Sequence, residues 1–365
     1  MNRRDLMKMA AGLVAGALGL SGSRRSGAAA TGNPQIQIAG YAYDRVRAIQ
    51  DGRLGLEGFT TEFHVENIYS LNADLYGSSP QYAISETGLI PYVTKYANDD
   101  FRAYTLIPVF ISRMFRHRNI IVRTDRGIEK PEDLRGKRVA TPVYGSSAGV
   151  WIRGFLQDIH GVKPEEMHWI ETTKSTDGGK VKDRFGQYLL PDGFPLEKGP
   201  PGVDESEMIV AGDVDALATI ETPRAMLDAH PKVKRLYPDF RSAERAYYSK
   251  TGVFPIMHVI AIRRDLAKSH PELPKMVFDM YSQAKQMAYD DLGTTTSLKV
   301  TLPWVTQEFE DTRALMGDNF WRYGVEANRK ELELVMRYTQ EQGLAKRRME
   351  VDEIFHPSTL ELSEV

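Results

Sequence analysis

The stretch "SRMFRHRN" (Ser112–Asn119) sets Arg113, Arg116, His117 and Arg118 around two large apolar side chains, Met114 and Phe115, and runs directly into the apolar "IIV". Read as the end of a strand, residues an even number apart share a face. Arg113, Phe115 and His117 then fall together, while Arg116 and Arg118 point away, to solvent or to a surface acid. A guanidinium grips a carboxylate through a planar fork of hydrogen bonds, and a phenyl ring stacks on another planar ring. That face fits an aromatic carboxylate, with its acid group on Arg113 and its ring on Phe115. A solvated basic loop is the plain alternative for the same residues.

Two further stretches carry chemistry of the same kind. In "PVYGSSAGVW" (Pro142–Trp151) a strand runs through Tyr144 and Gly145 into a helix whose start carries Ser146 and Ser147. Serine caps a helix, and the unpaired N–H groups of the first turn bind an anion without a formal charge. An ordinary cap has the same sequence. In "FPIMHV", His258 opens a second apolar strand. Imidazole titrates near neutrality and can give a proton to a substrate, although a histidine beside an apolar strand is also often a core residue. Glu86 in "AISET" and Glu221 in "TIETP" each follow a short strand, where an acid either orients such a histidine or simply favours a helix start.

Other chemistry has no support. The chain has no cysteine, which excludes disulfides, thiolate metal sites and a cysteine nucleophile. It has no Gly-rich phosphate loop, no His-Glu-x-x-His helix and no Gly-x-Ser-x-Gly elbow. His117, His258 and Glu86 are metal-binding residue types, but their spacing gives no specific support, and neither metal nor organic cofactor is expected.

The elements that must position these groups alternate short apolar runs with helical stretches, which argues for an α/β chain. Strands are expected at "QIQIAG", "FTTEFHVE", "FRAYTLIPVFI", "KRVATP" and "EMHWIET". Helices are expected at "DRVRAIQDGRL", at "SAGVWIRGFLQDIHG" closed by Gly161, and at the amphipathic "EANRKELELVMRYTQEQGL" ended by Gly343. Trp304 and Tyr323 are expected to pack or cap. Two stretches echo each other. "NIIVRTDRGIEKPEDL" and "HVIAIRRDLAKSHPEL" both run from a strand through Arg and Asp to a Pro-marked helix start. Two such crossings flank a self-contained α/β unit, as a two-lobe protein requires. The expected division is lobe 1 at 34–122 plus 252–365 and lobe 2 at 123–251. Ligands of such proteins lie between the lobes, and adjacent crossings would bring His117 and His258 to one end of the hinge.

The first thirty residues read as a leader: charged "NRRDLMK", apolar "MAAGLVAGALGL", and an Ala-x-Ala pattern at Ala28–Ala30. Paired Arg3–Arg4, with Leu6 and Lys8, gives it a twin-arginine character, so a periplasmic location with cleavage near Ala30 is expected. The apolar run is too short and glycine-rich for a stable membrane span. Residues 1–30 hold five basic residues and one acidic one, which leaves 42 basic and 48 acidic residues and a net charge of −6. A mildly acidic protein has no field to attract nucleic acid or anionic lipid, so any anion it binds must be recognised locally.

The segments "GIEKPEDLRGKRVATPVYGSSAGVWIRGFLQDIHGV", "AGDVDALATIETP" and "VIAIRRDLAKSHPELPKMV" resemble the type II periplasmic binding-protein superfamily. More narrowly, "IPVFISRMFRHRNIIV", "YYSKTGVFPIMHVIAIRRD", "LPWVTQEFEDTRALMG" and "YGVEANRKELELVMRYTQEQGL" resemble the 4,5-dihydroxyphthalate decarboxylase family, which shares that fold. The resemblance implies a two-lobe α/β fold with two hinge-crossing strands and a C-terminal helical region. Two functions follow, the first taken as the reading and the second as its alternative. One is an exported receptor that closes over a small, aromatic carboxylate and presents it to a membrane transporter. The other is a decarboxylase needing no organic cofactor. In that case His117 or His258 donates the proton, Glu86 or Glu221 sets its tautomer, and Arg113 holds the remaining carboxylate.

Overall fold

Runs of Ile, Val and Ala make the strands, and what each strand buries follows from its alternation. The computed structural model describes residues 33–174 and 188–364, so the leader pattern lies outside the described residues. Pro34–Val365 form one compact unit. In chain order the strands are β1 (Gln35–Gly40), β2 (Thr60–Val65), β3 (Ile84–Gly88), β4 (Tyr104–Arg113), β5 (Ile120–Arg123), β6 (Arg138–Thr141), β7 (His168–Glu171), β8 (Leu196–Lys198), β9 (Ala216–Ala218), β10 (Val233–Arg235) and β11 (Ile256–Arg263). They form two sheets, ordered β2-β1-β3-β11-β4 and β10-β5-β9-β6-β7-β8. In β5, Ile120 and Val122 join the large core while Ile121 faces a smaller one. Val139 and Ala140 of β6, and Ala216 and Leu217 of β9, split the same way. The inner strands of this second sheet are covered on both faces, which is why they read as short apolar runs, while its edge strands β8 and β10 are largely polar.

Helices of ten residues or more among the described residues are α1 (Leu89–Asn98), α2 (Ser147–His160), α3 (Phe240–Thr251), α4 (Leu273–Gly293), α5 (Val305–Met316) and α6 (Arg329–Glu341). Gly161 ends α2 in the left-handed conformation that glycine adopts without strain. Tyr323 is buried, whereas Trp304 is exposed rather than packed.

The parallel order places two topological switch points. In the first sheet β1 pairs with β2 on one side and β3 on the other. In the second, β6 lies between β7 and β9. Loops leaving the carboxyl ends of parallel strands at such points form the ligand crevice of open α/β sheets. Glu86 and the residues after β1 sit at the first point. Pro142–Ser147 and Ile220–Glu221 sit at the second. The chain leaves the first sheet after β4 and returns to it at β11. A division after residue 122 cuts β5, which belongs wholly to the second sheet.

Candidate functional site

Glu86 organises the first switch point. It lies in β3, two residues before Gly88, and Gly88 pairs with His258 on antiparallel β11. The glutamate and the histidine are therefore diagonal neighbours across the strands. His258 Nδ1 lies 2.6 Å from Glu86 Oε1. Tyr43 donates its hydroxyl to the same oxygen at 2.9 Å, and the backbone N–H of Tyr41 donates to Oε2 at 3.0 Å. Gly40 leaves room for this carboxylate, since a Cβ there would stand 3.1 Å from Oε2. Glu86 is 1% exposed, and a carboxylate so buried is stable only when its lone pairs are filled, as here.

The ring of Tyr41 stacks between Tyr43, at 5.6 Å, and His258, at 6.1 Å. Burial raises the Tyr43 hydroxyl strongly, with the Glu86 charge adding to the effect; Tyr41 is raised by burial as well. Both phenols therefore stay protonated donors at neutral pH. With Glu86 ionised, Nδ1 of His258 carries its hydrogen. Nε2 has no protein partner among the described residues. The arrangement can hold a charged imidazole and let it give up a proton from the open nitrogen.

Of the other expected site residues, some lie at the carboxyl ends of the strands and several do not. Ser146 caps α2, accepting from Gly149 N–H at 3.1 Å, and Ser147 Oγ accepts from Ile90 N–H in the first turn of α1 at 3.4 Å. The starts of α1 and α2 thus meet. Glu221 is exposed beyond β9, close enough to Tyr41 to raise that phenol electrostatically. Tyr144 and Gly145 depart from expectation. Tyr144 is buried against Trp169, Tyr188 and Phe194, its N–H bonded to Glu171, while the Gly145 N–H is taken by the Tyr188 hydroxyl. Packing in the second sheet's core has claimed both.

The largest correction concerns "SRMFRHRN". Strand β4 ends at Arg113 and a 3-10 turn begins at His117, so the two-residue alternation stops where it was applied. Arg113 turns away from the crevice, and all its donors are spent. It gives Phe254 O two hydrogen bonds, at 3.2 and 2.8 Å, and reaches Arg322 O at 3.2 Å, Asn328 Oδ1 at 2.7 Å and Glu331 Oε1 at 3.1 Å. Phe115 stacks on Phe254 at 4.7 Å, with Tyr247 and Tyr248 at its edges. His117 lies on Phe155 at 4.5 Å with Tyr237 and Tyr247 around it, and does not join His258. Arg116, expected outside, is buried. Its Nη1 donates to Ile220 O at 3.0 Å and its Nε to Met257 Sδ at 3.3 Å. Arg118 is exposed, as alternation had it. The described residues contain no group of three His, Cys, Asp or Glu placed to hold a metal.

Burial pushes His117 down to about 4, with His160 adding a smaller repulsion. The unfolded chain therefore takes up a proton near pH 6.5 that the folded chain refuses until about pH 4. Stability is undiminished above pH 6.5 and falls progressively between those values, by about 3 kcal/mol at most. Melting curves from pH 7 to pH 4 should show this loss, and His117→Phe should flatten it. An equally steep curve in the variant would assign the acid sensitivity elsewhere.

Tyr41, Tyr43 and the inward turn of Arg116 were missed from sequence. "GYAYD" after the first strand is the signal for the tyrosines: two phenols at i and i+2, at the end of a strand that neighbours two others.

The family model described as NMT1/THI5 like matches residues 109–183, which span the first crossing, α2 and β7. The chain is 34% identical over 329 residues to a 4,5-dihydroxyphthalate decarboxylase of Comamonas testosteroni, covering 90% of this chain and 98% of that protein. It is 33% identical over 215 residues to the Pseudomonas putida protein of the same description, covering 58% of this chain and 81% of the other. Among solved structures, a periplasmic sulfonate-binding protein, SsuA, from Methylobacillus flagellatus superposes with a TM-score of 0.52 at 14% identity, covering 89% of this chain and 92% of that one. That likeness shows the fold: two mixed α/β sheets in the periplasmic binding-protein arrangement. Among the described residues, no helix is long and apolar enough to cross a membrane.

Proposed function

The chain belongs to the 4,5-dihydroxyphthalate decarboxylase family, and on that premise we propose that it binds a small aromatic carboxylate between its two sheets and removes one carboxyl group as carbon dioxide. The observation that carries this reading is the Glu86–His258 pair, 2.6 Å apart, with the second imidazole nitrogen left open. Decarboxylation of an electron-rich ring breaks the bond between ring carbon and carboxyl carbon. The electron pair stays on the ring carbon, which takes a proton, and the carboxyl group departs as neutral carbon dioxide. A charged His258 supplies that proton from Nε2 and keeps the hydrogen on Nδ1, bonded to Glu86. Tyr43 and the Tyr41 amide hold Glu86 in place meanwhile. Ring hydroxyls on the substrate activate the carbon, so no organic cofactor is required. Approach of the two sheets would exclude water during the step.

A second reading uses the same crevice without chemistry. The leader-like residues 1–30 and the binding-protein fold favour a periplasmic receptor that carries an organic carboxylate to a membrane transporter. In this reading the two lobes, parted before β5 rather than after residue 122, close on the ligand, and the site needs only tighter binding in the closed state.

One experiment separates the two. The chain without its leader is incubated with 4,5-dihydroxyphthalate and the mixture followed by mass spectrometry and thermal shift. Conversion to 3,4-dihydroxybenzoate is expected. A raised melting temperature with the compound intact would favour the receptor, and neither effect across a panel of aromatic acids would overturn both readings.

A further inference from the structure

The first crossing carries a buried charge that the proton transfer above does not use. Arg116 is 6% exposed. Among the described residues no carboxylate lies within ion-pair distance of it, whereas Arg113, three residues earlier, has Glu331 at 3.1 Å. Glu244 acts on Arg116 only from beyond that range. One backbone oxygen and one thioether are its partners, and Nη2 has none among the described residues. Burial draws its pKa down to about 9, with Arg118 adding repulsion, so it is still charged at neutral pH. An ion taken from water with so little compensation is expensive. Such a group is stabilised when an anion arrives.

Its neighbours say where that anion would sit. Nη1 rests on the oxygen of Ile220, the residue before Glu221 at the second switch point. Nε rests on Met257, the residue before His258. Met257 is also a bulge residue. Ile256 pairs with Arg113 and His258 with Ser112, so β11 carries one residue more than β4 at this step. Bulges of this kind re-aim side chains next to active sites. Arg116 thus spans from the loop after β9 in one sheet to the irregular start of β11 in the other.

We propose that Arg116 is the carboxylate anchor of the crevice: it binds, through its guanidinium, the ionised carboxyl group that the ligand keeps. The inference rests on the reading above that the crevice takes an aromatic acid, and it assigns to Arg116 the role that strand alternation gave to Arg113. It adds a requirement to that reading. The partner is an organic acid with a free carboxylate on the ring, and the corresponding amide is a poor substitute.

The test uses 3,4-dihydroxybenzoate, which cannot lose the same group again by this reaction, and 3,4-dihydroxybenzamide as its neutral match. Calorimetric titration of the chain without its leader should show the acid binding and the amide binding weakly. Arg116→Met should weaken the acid by at least about 30-fold, as expected when one member of a buried charge pair is removed. It should leave the amide unchanged, and Arg116→Lys should fall between. Equal acid affinity in the wild type and Arg116→Met overturns the anchor while leaving the crevice reading intact. No binding of either probe by the wild type, and none of 4,5-dihydroxyphthalate, overturns both. Should Arg116→Met fail to fold, the wild type decides alone: an acid bound no tighter than its amide rules the anchor out.

Discussion

His258→Gln should lower the rate of carboxyl loss by about a thousandfold, the usual range for a positioned general acid, with substrate affinity changed only a few-fold. The argument is local. Glutamine keeps a polar group opposite Glu86 Oε1, and Glu86 itself stays fixed by Tyr43 at 2.9 Å and the Tyr41 amide at 3.0 Å. The crevice therefore keeps its shape while losing the imidazole bonded to that carboxylate. Glu86→Gln should also slow turnover, because the charged imidazole loses its counter-ion. The double variant should be no slower than His258→Gln alone, since the two residues act as one unit and their effects do not add. Single-turnover measurements on the three proteins decide this. Multiplicative losses, or an unchanged rate in His258→Gln, would remove the proton from this histidine.

What the sequence made legible was whatever depends on neighbours along the chain. The strands, the cap at Ser146, the stop at Gly161 and the amphipathic helix now seen as α6 all follow from local periodicity and turn chemistry. Glu86 and His258 were singled out because a polar residue at the mouth of an apolar strand stands out. Their mutual contact follows from the register of β3 against β11 across 172 residues, which no local pattern encodes. The error over Arg113 and Arg116 has the same origin. Alternation predicts facing only while a strand lasts, and β4 ends at Arg113. Beyond it the facing of each side chain is set by the 3-10 turn at His117 and by distant groups, among them Ile220, Met257 and Glu331. The same limit explains Tyr144, whose burial depends on Tyr188 and Phe194 arriving from far along the chain.

Arg113→Met should destabilise the protein by about 3 kcal/mol, toward the low end of what breaking a buried ion pair costs, and should leave ligand affinity of the folded protein unchanged. Both side chains of the Arg113–Glu331 pair are essentially inaccessible, at 0% and 1% exposure. The guanidinium also ties Phe254 and Asn328 to the end of β4, which joins the return crossing to the C-terminal helix α6. Losing it strands a buried carboxylate. The loss is moderated because Glu331 Oε1 keeps the Phe254 N–H at 3.3 Å and the half-exposed Arg322 at 3.4 Å. Arg113→Met combined with Glu331→Met should recover most of the stability, since two apolar chains of similar length replace two desolvated charges. Denaturant melts of the single and double variants, each followed by titration with 3,4-dihydroxybenzoate, read both effects together. A stable Arg113→Met that no longer binds the acid would return the anchor to Arg113 and take it from Arg116. A destabilised one that still binds makes Arg113 a structural strut behind the site.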